Sequence, residues 1–254
     1  EKLGRRTDVS LAIHSDIKEL IKQLLPKLNG DRSDAFLKGK LKKHAKLMNA
    51  PVGSYTRNAE KLKPIHPEYA AHVLNEVAAK DAVFTADTGM CNVWTARYID
   101  PLGTRRLIGS FLHGSMANAL PHAIGAQVAY PGRQVISVSG DGGLSMLLGE
   151  LVTARMYDLP INVVVFNNST LGMVKLEMLV NGLPDFGTNV HDVNYAKIAE
   201  AAGFHAQRVE DPKDLRNAFS QAFAHNGPSL VEVITDPNAL SLPPEIKGEQ
   251  MIGF

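Results

Sequence analysis

Short runs of apolar, often β-branched residues alternate along the chain with segments whose apolar residues recur every three or four positions. The runs predict strands and the longer segments predict amphipathic helices. Strands are predicted at residues 82–87, 105–111, 134–140, 161–167 and 229–235. Helices are predicted from Pro67 and at residues 116–130, 144–157, 195–202 and 212–224. Apolar strands that alternate with helices indicate an α/β fold, a parallel sheet flanked by helices on both faces.

The first thirty residues predict one further strand and helix. Residues 9–14 have strand character, Ser15 or Asp16 follows as a helix cap, and apolar residues then repeat at helical spacing. The apolar positions are Ile17, Leu20, Ile21, Leu24 and Leu25. A polar connector containing glycine and lysine continues to about Pro67.

Charge is distributed unevenly along the chain. Residues 1–63 hold 15 Lys and Arg against 7 Asp and Glu, whereas the remainder holds 12 against 19. The basic centre, residues 37–46, could bind nucleic acid or anionic lipid. No aromatic residues interleave with it, as a surface for single-stranded nucleic acid requires. The favoured interpretation is a solvated helix or linker, and we predict no nucleic-acid partner.

Composition places the chain among globular proteins. Of its 254 residues, 44% are hydrophobic and 21% charged, and no apolar run reaches the length of about 18 to 20 residues that spans a bilayer. A single cysteine, Cys91, cannot form an internal disulfide, which agrees with a reducing compartment. We therefore predict a cytoplasmic protein. The start at Glu1, without methionine, suggests a piece of a longer protein.

Oxygen-bearing side chains follow two of the predicted strands. Asp141 stands among glycines after residues 134–140, and 27 residues later Asn168 follows the next strand. Gly142 and Gly143 lack a β-carbon, so their N–H groups can approach a phosphate at the start of the following helix. A carboxylate would repel a phosphate unless a cation lay between them, and oxygen ligands suit Mg²⁺. A simple glycine-rich turn is the alternative, and the paired asparagines favour the metal site.

The motif GDG, then 24 residues, then NN resembles the diphosphate and metal motif of thiamine diphosphate enzymes. That resemblance implies that Asp141, the Asn168 side chain and the carbonyl oxygen of Thr170 bind Mg²⁺. It also implies that Gly142 and Gly143 offer N–H groups to the diphosphate.

Two further segments resemble cofactor-binding loops of the same family. In DTGMCNVW, the backbone at Gly89 and Met90 would lie near the phosphates. In HGSMANALP, Met116 would support the bent cofactor, and the backbone of Gly114 and Met116 would contact the pyrimidine. Taken alone, Met116 reads as an ordinary core methionine, so its role depends on the neighbouring motif.

Three longer segments extend the resemblance: RRLIGSFLHGSMANALPHAIGAQ, VVFNNSTLGMVKLEM and LPPEIKGEQMIGF. They resemble pyruvate oxidases, especially the quinone-reducing pyruvate dehydrogenases that bind FAD. This resemblance implies a domain order for the chain. Residues 1–30 would be the remnant of a Rossmann-like FAD-binding domain, 31–66 a connector, 67–237 the diphosphate-binding domain and 238–254 the start of a C-terminal tail. In these enzymes the tail contacts the membrane, which implies a peripheral location on the inner face of the cell membrane.

The reaction implied by this resemblance is decarboxylation of pyruvate, transfer of two electrons to FAD, and release of acetate, with a quinone as electron acceptor. A glutamate from a neighbouring subunit activates the cofactor in this family, and no residue here matches it. The resemblance therefore implies a homo-oligomer, a homotetramer in the complete enzyme, with active sites between subunits. We expect the present chain alone to be inactive.

Two residues bear on the substrate. Glu177 matches the oxidase branch, where acetolactate synthases carry a tryptophan, and would act in proton transfer or orientation. Met173 instead resembles acetolactate synthases, which keeps that function, or another 2-ketoacid decarboxylase, as an alternative. A non-catalytic nucleotide-binding module is a second alternative, although neither a G-x-G-x-x-G nor a P-loop motif occurs. Residues 181–194, rich in turn formers, are a candidate covering loop.

Overall fold

A computed structural model of the chain describes residues 3–28, 30, 33–49 and 58–240, with the backbone alone for residues 46–49. The chain divides into two units, residues 1–49 and residues 50–254. This division falls inside the predicted connector, and the predicted domain boundaries stay a prediction. Residues 241–254, most of the predicted tail, lie outside the described residues.

The first unit contains two helices, α1 (Ile17–Leu24) and α2 (Ala35–Asn49). The Asp16 carboxylate caps α1 by accepting hydrogen bonds from the N–H groups of Lys18 and Glu19 at 2.9 and 3.2 Å. The basic residues 37–46 lie in α2, so the helix interpretation of that stretch is confirmed.

The predicted strand at residues 9–14 is wrong, because those residues form no strand. A strand needs a hydrogen-bonded neighbour and a buried face. None of the side chains described in residues 3–45 is buried, so residues 9–14 have no buried face. They also pair with no strand among the residues that the structure describes.

The second unit is built on one sheet of six parallel strands. The strands are β1 (Val83–Ala86), β2 (Arg106–Gly109), β3 (Val135–Gly140), β4 (Ile161–Asn167), β5 (His205–Val209) and β6 (Ser229–Ile234). The helices are α3 (Pro67–Val77), α4 (Met90–Tyr98), α5 (Ala119–Ala129), α6 (Asp141–Met146), α7 (Glu150–Met156), α8 (Gly172–Val180), α9 (Tyr195–Ala201) and α10 (Leu215–Ala224).

Helices cover both faces of the sheet, as the sequence pattern predicts. In β4, Val163 and Val165 belong to one core cluster with residues of α5, α7 and α9, whereas Val164 and Phe166 belong to the other with α3, α4 and α10. Every residue of β4 is buried. An apolar strand without polar alternation is therefore the expected consequence of this central position.

The strand order β2-β1-β3-β4-β6-β5 places the site. From β1 the chain passes to β2 on one side and later returns to β3 on the other, so the winding direction reverses between β1 and β3. At such a switch point the loops after the two strands diverge and leave a crevice at the carboxyl edge.

Several elements of the second unit differ from the predictions, and helix α4 was not predicted. Strand β5 was missed because its sequence, HAQRV, is largely polar, and it pairs with β6 alone. The helix predicted at 144–157 is two helices, α6 and α7. Helix α5 starts only at Ala119, because Ala117 is left-handed at φ 64°.

Candidate functional site

A cavity of about 230 Å³ opens at the carboxyl edge of the sheet, at the switch point. The residues that the sequence singled out come from four separate segments, and all of them line this cavity. They are Gly89, Met90, Gly114, Met116, Asp141, Gly142, Gly143, Asn168, Thr170, Met173 and Glu177. The structure tests their position, and their roles stay predictions.

The Asp141 carboxylate is buried, with 3% of the residue exposed, at the end of β3. Its Oδ2 atom has no hydrogen-bond partner in the part of the chain that the structure describes. Burial raises the pKa of Asp141 to about 6, against backbone hydrogen bonds that lower it. A buried carboxylate with one oxygen left without a partner is costly, and a bound cation would remove that cost.

Neutral oxygens lie in the same wall of the cavity. Asn168 follows β4, and its Oδ1 accepts a hydrogen bond from the N–H of Thr170 at 3.2 Å. Asp141, Asn168 and the Thr170 carbonyl are the groups here that could hold a divalent cation. No group of three or more His, Cys, Asp or Glu residues suited to a metal occurs among the described residues, and the predicted ligand set contains only one of those types.

The two glycines after Asp141 lie against neighbouring walls with no room for a side chain. A β-carbon on Gly142 would stand 2.7 Å from the Leu171 side chain, and one on Gly143 would stand 2.1 Å from Oδ2 of Asp87. A side chain at either position would displace Leu171 or Asp87, whereas glycine leaves the backbone accessible from the cavity, as a phosphate cradle needs.

Asp87 is a residue that the motif search missed. Its Oδ1 accepts hydrogen bonds from the N–H of Thr88 at 2.9 Å and from the N–H and side chain of Asn118 at 3.1 and 3.2 Å. Burial raises the pKa of Asp87. The carboxylate thus ties the loop after β1 to the segment that carries Met116. It follows β1 directly, as Asp141 follows β3, so the strand-end rule could have found it.

Helix α8 forms the wall at the other end of the cavity. It starts beside Met90, since a β-carbon on Gly172 would lie 3.1 Å from the Met90 side chain. Helical spacing then brings Met173 and Glu177 to the same wall. Glu177 is exposed to solvent, at the open side of the cavity. Several further lining residues were not predicted, among them Trp94, Leu171 and Asp236.

Residues 181–194 do not cover the cavity, since none of its lining residues belongs to that range within the described chain. Instead, residues 188–190 pair with the turn after β4. Thr188 accepts from the Leu171 N–H at 2.8 Å, and Val190 donates to the Ser169 carbonyl at 3.0 Å. The segment is a support for the turn in this structure.

In the residues that the structure describes, no helix has the length and hydrophobicity that a membrane span requires.

The C-terminal TPP-binding domain of the thiamine pyrophosphate enzymes matches residues 87–233, more than half of the chain. The YdaP protein of Bacillus subtilis, described as thiamine pyrophosphate-containing, is 38% identical over 77% of this chain and 34% of its own length. Pyruvate oxidase of Lactiplantibacillus plantarum is 30% identical over 92% of this chain and 39% of its own. The acetolactate synthase large subunit of Lactococcus lactis is 31% identical over 100% of this chain and 44% of its own. The chain thus spans less than half the length of these curated relatives.

Proposed function

This chain belongs to the thiamine pyrophosphate enzymes, since it contains their C-terminal TPP-binding domain, and we propose that it is the diphosphate-binding part of an enzyme that oxidatively decarboxylates pyruvate to acetate. Thiamine pyrophosphate is the cofactor called thiamine diphosphate above. The main support for the proposal is that residues from all four predicted cofactor-binding segments line one cavity.

At the metal end, Asp141, Asn168 and the Thr170 carbonyl hold Mg²⁺. The unpaired Oδ2 of Asp141 supports this role, because a cation would compensate its burial. Magnesium held there would screen the carboxylate from the diphosphate, and the backbone N–H groups of Gly89, Met90, Gly142 and Gly143 would bind the diphosphate.

The remaining walls orient the cofactor and the substrate. Gly114 and Met116 hold the pyrimidine, and Met90 and Met173 enclose the reacting end in apolar surface. When bound, thiamine diphosphate supplies the nucleophilic carbon and the electron sink that decarboxylation of a 2-ketoacid requires. The chain's own contribution is to bind, orient and partly exclude water.

The oxidative outcome rests on Glu177. Its carboxylate stands at the open side of the cavity, where it can hold or donate a proton to the substrate's oxygen atoms. An apolar indole at that position would instead favour a second ketoacid. FAD as electron carrier and a quinone as acceptor complete the proposal for the whole protein. The proposal for the whole protein also includes a homotetramer with active sites between subunits. It further includes a cytoplasmic location with peripheral membrane contact.

Acetolactate synthase is the second candidate. Met173 favours it, and the acetolactate synthase of Lactococcus lactis matches this chain as closely as the pyruvate oxidase does. The two functions share the decarboxylation of pyruvate and differ in the fate of the two-carbon product.

The visible spectrum of the complete protein separates the two functions. With Mg²⁺ and thiamine diphosphate bound, anaerobic pyruvate is expected to bleach a flavin band. An oxidised flavin that persists, together with acetolactate formed from pyruvate, would contradict the oxidase and establish the synthase. The 254-residue chain is expected to bind thiamine diphosphate only with Mg²⁺ present, to ignore NAD and ATP, and to show no turnover.

A further inference from the structure

The carboxylate of Glu232 lies completely buried in β6, with 0% of the residue exposed. Its Oε1 accepts hydrogen bonds from the side-chain amide of Asn167 at 2.7 Å and from Arg208 at 3.1 Å. Its Oε2 accepts from the N–H of Ala196 at 3.0 Å. These donors fix the orientation of the buried Glu232 carboxylate.

Asn167 connects this carboxylate to the turn after β4. Its Nδ2 donates to Glu232 and to the Val193 carbonyl at 3.2 Å, and its Oδ1 accepts from the N–H and hydroxyl of Ser169 at 3.1 and 3.3 Å. Both donors and both acceptor positions of the amide are thus used. The side chain has one orientation only, and that orientation faces the turn.

The turn itself needs such support. Ser169 adopts a left-handed backbone at φ 52°, which is unfavourable for a residue with a side chain. The two hydrogen bonds to Oδ1 of Asn167 hold it there. On either side of Ser169 stand Asn168 and Thr170, two residues of the cavity lining whose oxygens are assigned above to Mg²⁺. A shift of Ser169 would therefore move both oxygens.

Arg208 pairs with the Glu232 carboxylate and fixes its position. It lies on the edge strand β5, with 20% of its side chain exposed, and also bonds Glu210 at 3.0 Å and Asp192 at 3.3 Å. Without Arg208, Glu232 would remain buried in the core with two neutral donors and without this cation.

We propose that Glu232, held by Arg208, is a positioning residue that sets the Mg²⁺ affinity of the site through Asn167. The two adjacent asparagines have different roles in this proposal. Asn168 lines the cavity, and Asn167 links the buried acid to the Ser169 turn through hydrogen bonds. This inference rests on the proposed function, since it concerns the oxygens assigned there to Mg²⁺.

The test is a Mg²⁺ titration of the 254-residue chain at saturating thiamine diphosphate. Trp94 is the only tryptophan and lines the cavity, so its fluorescence reports binding without any need for turnover. In Glu232→Gln, the amide group cannot accept from both Asn167 and Ala196. We expect about 10- to 100-fold weaker Mg²⁺ binding, the range typical when a partner of a metal ligand is removed.

Asn162→Ala is the matched control. Asn162 is also a buried asparagine of β4, bonded to Ser229 of β6 at 2.8 Å and to the Val135 carbonyl at 3.3 Å, but at the opposite end of the strand. It should lower the melting temperature of the ligand-free chain without changing Mg²⁺ affinity. Asn167→Ser tests the same link should Glu232→Gln fail to fold.

A double-mutant cycle separates a positional effect from the loss of a negative charge. If Glu232 acts through Asn167, the double variant Glu232→Gln/Asn167→Ser loses no more Mg²⁺ affinity than the single variant with the larger loss. Additive losses, wild-type affinity in both single variants, or an equal loss in Asn162→Ala would each overturn the inference. A wild-type chain that binds no thiamine diphosphate at any Mg²⁺ concentration overturns the proposed function itself, and the two failures are thereby distinguished.

Discussion

Of the buried carboxylates near the carboxyl edge of the sheet, Glu232 and Asp141 have opposite surroundings. Glu232 in β6 is surrounded by donors and has its own cation, Arg208. Asp141 after β3 keeps one oxygen without a partner in the described chain, and burial raises its pKa to about 6. Under the proposed function, a bound cation would supply the partner that this oxygen of Asp141 lacks. The difference separates structural from functional burial of charge.

The largest effect is expected from removal of the cation that Glu232 already has. Arg208→Met leaves the acid with two neutral donors in the core, which should lower the free energy of unfolding by about 3 kcal/mol. Urea unfolding measures this. Arg216→Met is the control, because Arg216 pairs with Glu76 on the surface with 60% of its side chain exposed, and its loss should cost under about 1 kcal/mol. Equal losses in the two variants would erase the contrast between Glu232 and surface acids.

Removal of the incomplete acid should have the opposite effect on stability. Asp141→Asn eliminates a buried charge without a partner, so the ligand-free chain should melt at the same temperature or higher. Mg²⁺ affinity, measured through Trp94 fluorescence, should fall by more than about 100-fold, beyond the loss typical of residues that support a ligand. Asp214→Asn changes an exposed carboxylate away from the cavity and should alter neither quantity. Reduced stability with retained Mg²⁺ binding would show that Asp141 is structural.

The smallest effect is a pH dependence. Burial raises the folded-state pKa of Asp141 from 3.8 to about 6, so between these values the folded state holds a proton that the unfolded state releases. Without Mg²⁺, stability from this group is present at low pH and is lost as the pH rises through that window. Protons compete with Mg²⁺, so its affinity should fall by up to about tenfold for each unit below about pH 6. Isothermal titration from pH 5 to pH 7 measures this slope, and a slope unchanged in Asp141→Asn would assign it to another group.

The residues proposed to bind the metal and the diphosphate could be located from the sequence because of a property of parallel sheets. The carboxyl ends of β3 and β4 lie at one edge, so Asp141 and Asn168 had to come close once the two strands were recognised. The apolar runs were recognisable because central strands are buried on both faces. The polar edge strand β5 carries no such signal, and an isolated run such as residues 9–14 resembles a strand without having a partner.

Sequence alone therefore determined the α/β class, the order of most elements, and the four segments that meet at the cavity, because local periodicity and strand-end residues encode them. Only the tertiary structure decided which polar groups are complete and which are not. Asn167 and Asn168 are chemically identical neighbours, yet one is enclosed by Glu232, Val193 and Ser169 while the other faces the cavity. That assignment depends on β6 lying beside β4, a pairing between strands 62 or more residues apart in the chain, and contacts at such separation leave no trace in local patterns.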